Sequence, residues 1–253
     1  MKKILKIILT CVEASVLFVV VGALTTATTK TIYANILIEQ FKNKAVYNEE
    51  ESTEMIQLYR IPSNETLPVK QQIGVEHYPG NEGDILITLV SELQIPFIHD
   101  FISFFAGGHA ALVLGDYEDV LDKTTNLYTV ESSGLSDDLN LADTNAKTYW
   151  NRYPYPVIGL RVRMTEEERR TVVARGLALA GDPYNYSFLF DTKNKSYCSD
   201  LVGKAFASIG VNLNKDGFTT SIYDLLVSNE TYITYYRYFD KDGVQHIYYL
   251  DTK

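Results

Sequence analysis

The chain has 253 residues, 46 % of them hydrophobic and 22 % charged, which suits one enzyme-sized ordered domain with an appendage and excludes intrinsic disorder. Lys+Arg number 23 against Asp+Glu 32, a net charge of −9 with a pI near 5.0, so nucleic acid is not an expected partner. Two Cys exclude a disulfide framework and a Cys-based zinc cluster.

The N-terminus opens with Lys2, Lys3 and Lys6, followed by an apolar run from Ile7 to Leu24 interrupted by Glu13. Eighteen helical residues cover about 27 Å, close to a hydrocarbon core of about 30 Å. The basic tip places the N-terminus in the cytoplasm and the rest outside. Residues 1–30 therefore read as a signal peptide or a transmembrane anchor. The small-residue run Thr25-Thr26-Ala27 offers a cleavage site, and cleavage stays open. The implied location is the cell membrane, with the main domain outside, or secretion.

Residues 31–78 read as a stalk or accessory region. Thr31 to Tyr47 is loosely helical, then the acidic run Asn48-Glu49-Glu50-Glu51 follows, and Pro62, Pro68 and Pro79-Gly80 punctuate the rest. Residues 79–253 form the main domain. Asp84 to Val90 predicts a strand behind a Gly turn, and Pro96 to Phe105 a short apolar helix. Gly107 to Gly115 predicts a buried strand, with Leu127 to Ser132 and Val157 to Arg163 as two more. Thr165-Glu166-Glu167-Glu168 is a capping box opening a helix that runs to about Ala180. Cys198, Leu201, Val202, Ala205, Phe206 and Ile209 recur at helical spacing up to Gly210. The tyrosine-rich tail from Tyr232 folds back at Asp240-Lys241-Asp242-Gly243 as a hairpin. Strands with helices between them, closed by a hairpin, predict an α+β fold with an antiparallel sheet packed against helices and an N-terminal apolar helix.

Three residues could carry chemistry. Cys11 lies inside the apolar segment, so Cys198 has no partner in the outer domain; it is a reactive thiol, an intermolecular disulfide partner or a small core residue. Its position at a helix start puts the sulfur near the positive end of the dipole, which favours the thiolate and could hold an oxyanion. His109 begins an apolar strand after two glycines, from which an imidazole can reach a thiol on a packed helix. Glu131 interrupts a β-like run, where it either faces solvent or orients the imidazole. His77, His99 and His246 sit in weaker settings.

Gly83-Asp84-Ile85-Leu86, Gly108-His109-Ala110-Ala111-Leu112-Val113-Leu114, Val130-Glu131-Ser132-Ser133, Asp182-Pro183-Tyr184 and Tyr197-Cys198-Ser199-Asp200-Leu201-Val202 occur in that order. Together they resemble the circularly permuted papain-like cysteine hydrolases of the YaeF/YiiX group, relatives of NlpC-type peptidases and of lecithin–retinol acyltransferase, over residues 83 to about 210. The resemblance implies a permuted papain-like fold in which histidine precedes cysteine. It implies Cys198 as nucleophile, His109 as base and then acid, and Glu131 as the group orienting the imidazole. Tyr184 and Tyr197 match tyrosines near the pocket, either of which would assist an oxyanion. Implied substrates are amide or ester bonds in peptides, cell-wall fragments or lipid-linked molecules.

The resulting expectation is an exported or membrane-anchored cysteine hydrolase cleaving an amide through a thioester. An acyltransferase using the same dyad and a catalytically inactive, surface-anchored binding domain are the alternatives. No phosphate loop, metal-ligand cluster or dinucleotide fingerprint appears in the sequence, so neither cofactor nor metal is expected.

Overall fold

The computed structural model describes residues 2–63, 80–90, 108–119, 124–133, 142–145, 150, 155–188, 194–215 and 219–251. Helix α1 spans Lys2–Lys42. Strands β1 (Val46–Tyr47) and β2 (Ile56–Pro62) follow, then β3 (Ile85–Thr88), β4 (His109–Asp119), β5 (Thr124–Ser132), β6 (Ala142–Asn145) and β7 (Val157–Val162). Helices α2 (Glu166–Leu177), α3 (Cys198–Ala207) and α4 (Ile222–Val227) lead into the closing hairpin of β8 (Thr231–Phe239) and β9 (Gln245–Asp251).

These strands make one sheet of order β1-β2-β9-β8-β7-β3-β4-β5-β6. Its pairs are antiparallel except β2 with β9, which run parallel from Ile56–Gln245 to Pro62–Asp251. The sequence predicts an antiparallel sheet; the one parallel pair forms where β2 adds to the edge of the β8–β9 hairpin, running in the direction of β9. The region read as a stalk or accessory region thus contributes β1 and β2 to the sheet, and its first twelve residues continue α1.

Alternation along the strands sorts side chains to two faces. Ile85, Ile87, Ala110, Leu112, Ile158 and Leu160 join the core shared with the helices, including Val172, Leu201, Phe206 and Leu225. Leu86, Ala111, Val113, Val157, Tyr235 and Ile247 form a second cluster around the buried Trp150. Burial of such side chains contributes roughly 1.5–3 kcal/mol each, so the sheet centre is the stable platform on which the site is built.

Local grammar explains the helices that carry the platform. Thr165 caps α2 by accepting from the Glu168 N–H, and the Glu168 carboxylate returns to the Thr165 N–H, the reciprocal capping box. Gly176 lets α2 lie close on β4, because a Cβ there would come within 2.4 Å of Leu112. The predicted helix over Pro96 to Phe105, together with His77 and His99, lies outside the described residues.

Helix α1 runs on for eighteen residues past Leu24, where the apolar block ends. Ala34, Ile38 and Phe41, spaced at i, i+4 and i+7, bury into the main core, and Ala27 is buried one heptad before Ala34. Among the described residues no helix is long and apolar enough to cross a membrane. The expected span is therefore not seen in them, and the side chains of Ile7 to Cys11 lie outside the described set.

Candidate active site

The site forms where the start of β4, the end of β5 and the N-terminus of α3 converge. Gly108 introduces β4 with φ +78°, and a Cβ there would stand 2.2 Å from the Thr88 carbonyl oxygen. Only glycine allows this approach, and it sets the direction in which His109 leaves the turn. His109 and Ala111 share a face of β4, and Ala111 pairs with Glu131 across to β5. Glu131 is thus a diagonal neighbour of His109, within reach of two long side chains, and the small Ala111 leaves the space between them.

The contact is made. His109 Nε2 and Glu131 Oε2 are 2.5 Å apart, and Glu131 Oε1 accepts from the Thr129 hydroxyl at 3.1 Å. With Nε2 turned to the carboxylate, Nδ1 is the ring nitrogen left for the thiol, and a side-chain hydrogen bond joins His109 to Cys198. The imidazole also stacks on Trp150, with centroids 5.7 Å apart and planes 3° from parallel. Glutamate, ring stack and thiol together hold the imidazole in one orientation.

Cys198 is the first residue of α3, with Tyr197 at the N-cap making no side-chain cap bond. The uncapped N-terminus leaves N–H groups for the sulfur, which accepts from the Ser199 and Ala110 backbone N–H groups. Ala110 lies one residue beyond the last β4–β5 pair, Ala111–Glu131, so its N–H serves the sulfur where the β5 ladder has ended. Ser132 fastens the same corner by donating to the Ser196 carbonyl at 2.7 Å.

Electrostatics follow from this arrangement. Burial opposes ionisation of both groups. For Cys198 the hydrogen bond and charge of His109, with the two N–H groups, outweigh that penalty and lower the thiol pKa. For His109 burial pulls downward, but the bonds to Cys198 and Glu131 carry the imidazole up to about 10. Thiolate and imidazolium are the mutually stabilised forms, titrating as a pair.

The two tyrosines part company. Tyr184 bridges to Ser196, with the Asn185 N–H donating to the Ser196 carbonyl and the Ser196 N–H to Pro183. This lays Asp182-Pro183-Tyr184 alongside Ser196, two residues before Cys198, and burial, followed by the charge on the sulfur, raises the Tyr184 pKa and keeps the phenol protonated. The Tyr197 hydroxyl is instead tied to the Thr219 hydroxyl at 2.8 Å and accepts from the Thr220 N–H at 2.9 Å. Tyr197 therefore braces the loop before α4.

Trp150, Thr129, Thr219 and Thr220 stand in no recognisable motif of the sequence. Trp150 is the only tryptophan in the chain, which was the available signal. The threonines have none. Gly83-Asp84 proves to be a fold motif: Arg161 donates to Asp84 through Nε and Nη2 at 2.7 and 2.5 Å, and the Asn81 N–H adds a third bond. His246 lies in the closing hairpin, 3.1 Å from Asp240 and stacked on Tyr238. Among the described residues no group of three or more His, Cys, Asp or Glu is placed to hold a metal ion.

A mixed α+β chain with one large sheet, and histidine on a strand preceding cysteine on a helix, has the layout of a permuted papain-like enzyme. The model of the permuted papain-like amidases, YaeF/YiiX, C92 family, matches residues 80–231, and the chain belongs to that family. It is a cysteine amidase by that membership. No curated protein matches it. The crystal structure of metalloprotein yiiX from Escherichia coli O157:H7 is similar at 14% identity and a TM-score of 0.46, covering 62% of this chain and 97% of its own.

Glu131→Gln keeps the shape of the contact but removes the charge that supports an imidazolium. Turnover is expected to fall on the order of tenfold, with the alkaline limb of the rate profile moving down by about one pH unit or more. An unchanged rate and profile would make Glu131 a bystander.

Proposed function

We propose that this protein cleaves amide bonds by nucleophilic catalysis from Cys198, with His109 as the proton carrier and Glu131 orienting its ring. The observation that carries the reading is the continuous chain from the Glu131 carboxylate through the imidazole to a sulfur on a helix N-terminus. The thiolate adds to the carbonyl carbon, and the charge that develops on oxygen falls near the helix N-terminus. Tyr184, kept protonated by burial and by the sulfur, is the better placed of the two tyrosines to donate there. His109 Nδ1 then protonates the departing nitrogen as the C–N bond breaks, leaving a thioester on Cys198. Water, losing its proton to the same nitrogen, adds to the thioester and releases the carboxylic acid and the thiolate.

The substrate class is an amide in a peptide, a cell-wall fragment or a lipid-linked molecule. Export or membrane anchoring through residues 1–30 is part of the proposal, supported by the basic tip, the apolar block and their helical continuity with the domain. A topology reporter fused after Lys253 would read as external if that part holds.

The test is turnover on a panel of peptide, muropeptide and N-acyl amides. Cys198→Ala and His109→Ala are each expected to lower kcat/KM by roughly 10^4 or more while circular dichroism is unchanged. Residual activity within tenfold of wild type in either variant would overturn the mechanism. Product appearing on an added amine in place of water would assign acyl transfer.

A further inference from the structure

Helix α1 does more than lead into the domain. Lys30 Nζ forms an ion pair with Asp224 Oδ1, and both side chains are largely buried, 16% and 5% exposed. Asp224 is the third residue of α4, and its other oxygen accepts from the Ser221 N–H at 2.8 Å and the Ser221 hydroxyl at 2.6 Å. The reciprocal bond from the Asp224 N–H to Ser221 Oγ completes a capping box. One carboxylate thus caps α4 with one oxygen and holds α1 with the other. A helix of six residues is too short to stand alone, so its position depends on such ties.

From α4 two short routes run to the reacting groups. Ile222 packs on the turn before His109: its Cγ1 is 3.4 Å from where a Cβ on Gly108 would be. Thr219 and Thr220, just before the capping box, make three hydrogen bonds to the start of α3. The Tyr197 hydroxyl meets Thr219 Oγ1 and the Thr220 N–H, and Ser199 Oγ donates to the Thr220 carbonyl at 2.7 Å. Residues 219–222 therefore touch the neighbours of both His109 and Cys198.

We infer that Lys30 is a positioning residue of the active site: through Asp224 it fixes the 219–222 segment, which sets the separation of His109 and Cys198. The inference rests on the assignment of those two residues as the reacting pair. It gives α1 a role in the reaction whether or not its apolar half meets a membrane. A cut within Thr25-Thr26-Ala27 leaves Lys30 in place, whereas loss of residues 1–30 removes it.

The test uses the full chain carrying Cys11→Ser, so that iodoacetamide reports Cys198 alone. The parent shows whether Cys198 is activated at all; slow labelling at pH 6 there sinks the assignment of the pair, separately from the role of Lys30. Given an activated parent, Lys30→Gln is expected to lower the rate at pH 6 by about tenfold and move the labelling midpoint up by about one pH unit. Lys30→Arg, which keeps the charge, is expected to restore both. Ile222→Val trims the second route with the ion pair intact and is expected to shift the midpoint in the same direction. A Lys30→Gln protein that melts earlier but keeps the parental midpoint would overturn the inference, since a merely structural role changes stability alone. If Lys30→Gln does not fold, Ile222→Val decides: a parental midpoint there overturns it.

Discussion

At pH 6, iodoacetamide is expected to alkylate Cys198 about 10 to 100 times faster in the wild-type protein than in His109→Ala. An ordinary thiol with a pKa near 8.5 is only about 0.3 % thiolate at that pH. In the folded protein the thiol pKa is lowered: burial opposes the charge, but the bond to His109, the imidazolium charge and the Ala110 and Ser199 N–H groups prevail. Full ionisation would raise the thiolate fraction by at most about 300-fold, and part of any gain is given back because a less basic thiolate is a weaker nucleophile. Without the imidazole, burial is left facing only two N–H groups, and labelling should rise late, above pH 8. Peptide mapping separates Cys198 from Cys11. Equal rates in the two proteins at pH 6 would mean an ordinary thiol and favour the inactive binding domain.

The same pair sets the shape of the rate profile. Thiolate appears as pH rises through the lowered thiol pKa, so labelling climbs once and stays high. In the proposed mechanism turnover also needs the imidazolium to protonate the leaving nitrogen. Since His109 is raised to about 10, turnover should decline only on approaching that pH. Labelling and turnover thus diverge in the alkaline range.

Arg161→Ala is expected to destabilise the protein by about 3–5 kcal/mol, a large share of a total of roughly 5–15 kcal/mol. Asp84 and Arg161 are both nearly inaccessible to solvent, and two parallel N–H···O bonds join them across the entry to β3. Removing the guanidinium leaves the Asp84 carboxylate buried with only the Asn81 N–H shown bonded to it. Arg161→Lys keeps the charge but loses the fork, and should fall between. Replacing both members by apolar residues of similar volume should recover most of the loss, because the desolvation penalty then vanishes with the pair. Urea unfolding measures all three variants. A loss under 1 kcal/mol in Arg161→Ala would show that the pair contributes little. Activity per folded molecule should stay near wild type, as the pair holds the platform and not the sulfur.

The sequence by itself determined the features whose causes are local. The capping box at Thr165 was legible because its donors and acceptors lie three residues apart, and it is present with both bonds. Cys198 at a helix start, His109 at a strand start behind Gly108 and Glu131 on a strand were legible from periodicity and glycine punctuation. The hairpin turn at Asp240 to Gly243 was too, with Gly243 at φ +79°. Tertiary structure alone decided what depends on residues far apart in the chain. The parallel pairing of β2 with β9 joins residues nearly 190 positions apart, and no local pattern specifies the partner of an edge strand. Trp150 stacks on His109 from a separate stretch of chain, and Lys30 finds Asp224 across 194 positions. The two tyrosines show the division best. Their side chains look alike in sequence, yet the Tyr197 hydroxyl is tied to Thr219 and Thr220 while Tyr184 pairs through its backbone with Ser196, because a tyrosine's role is set by which groups the fold brings to it.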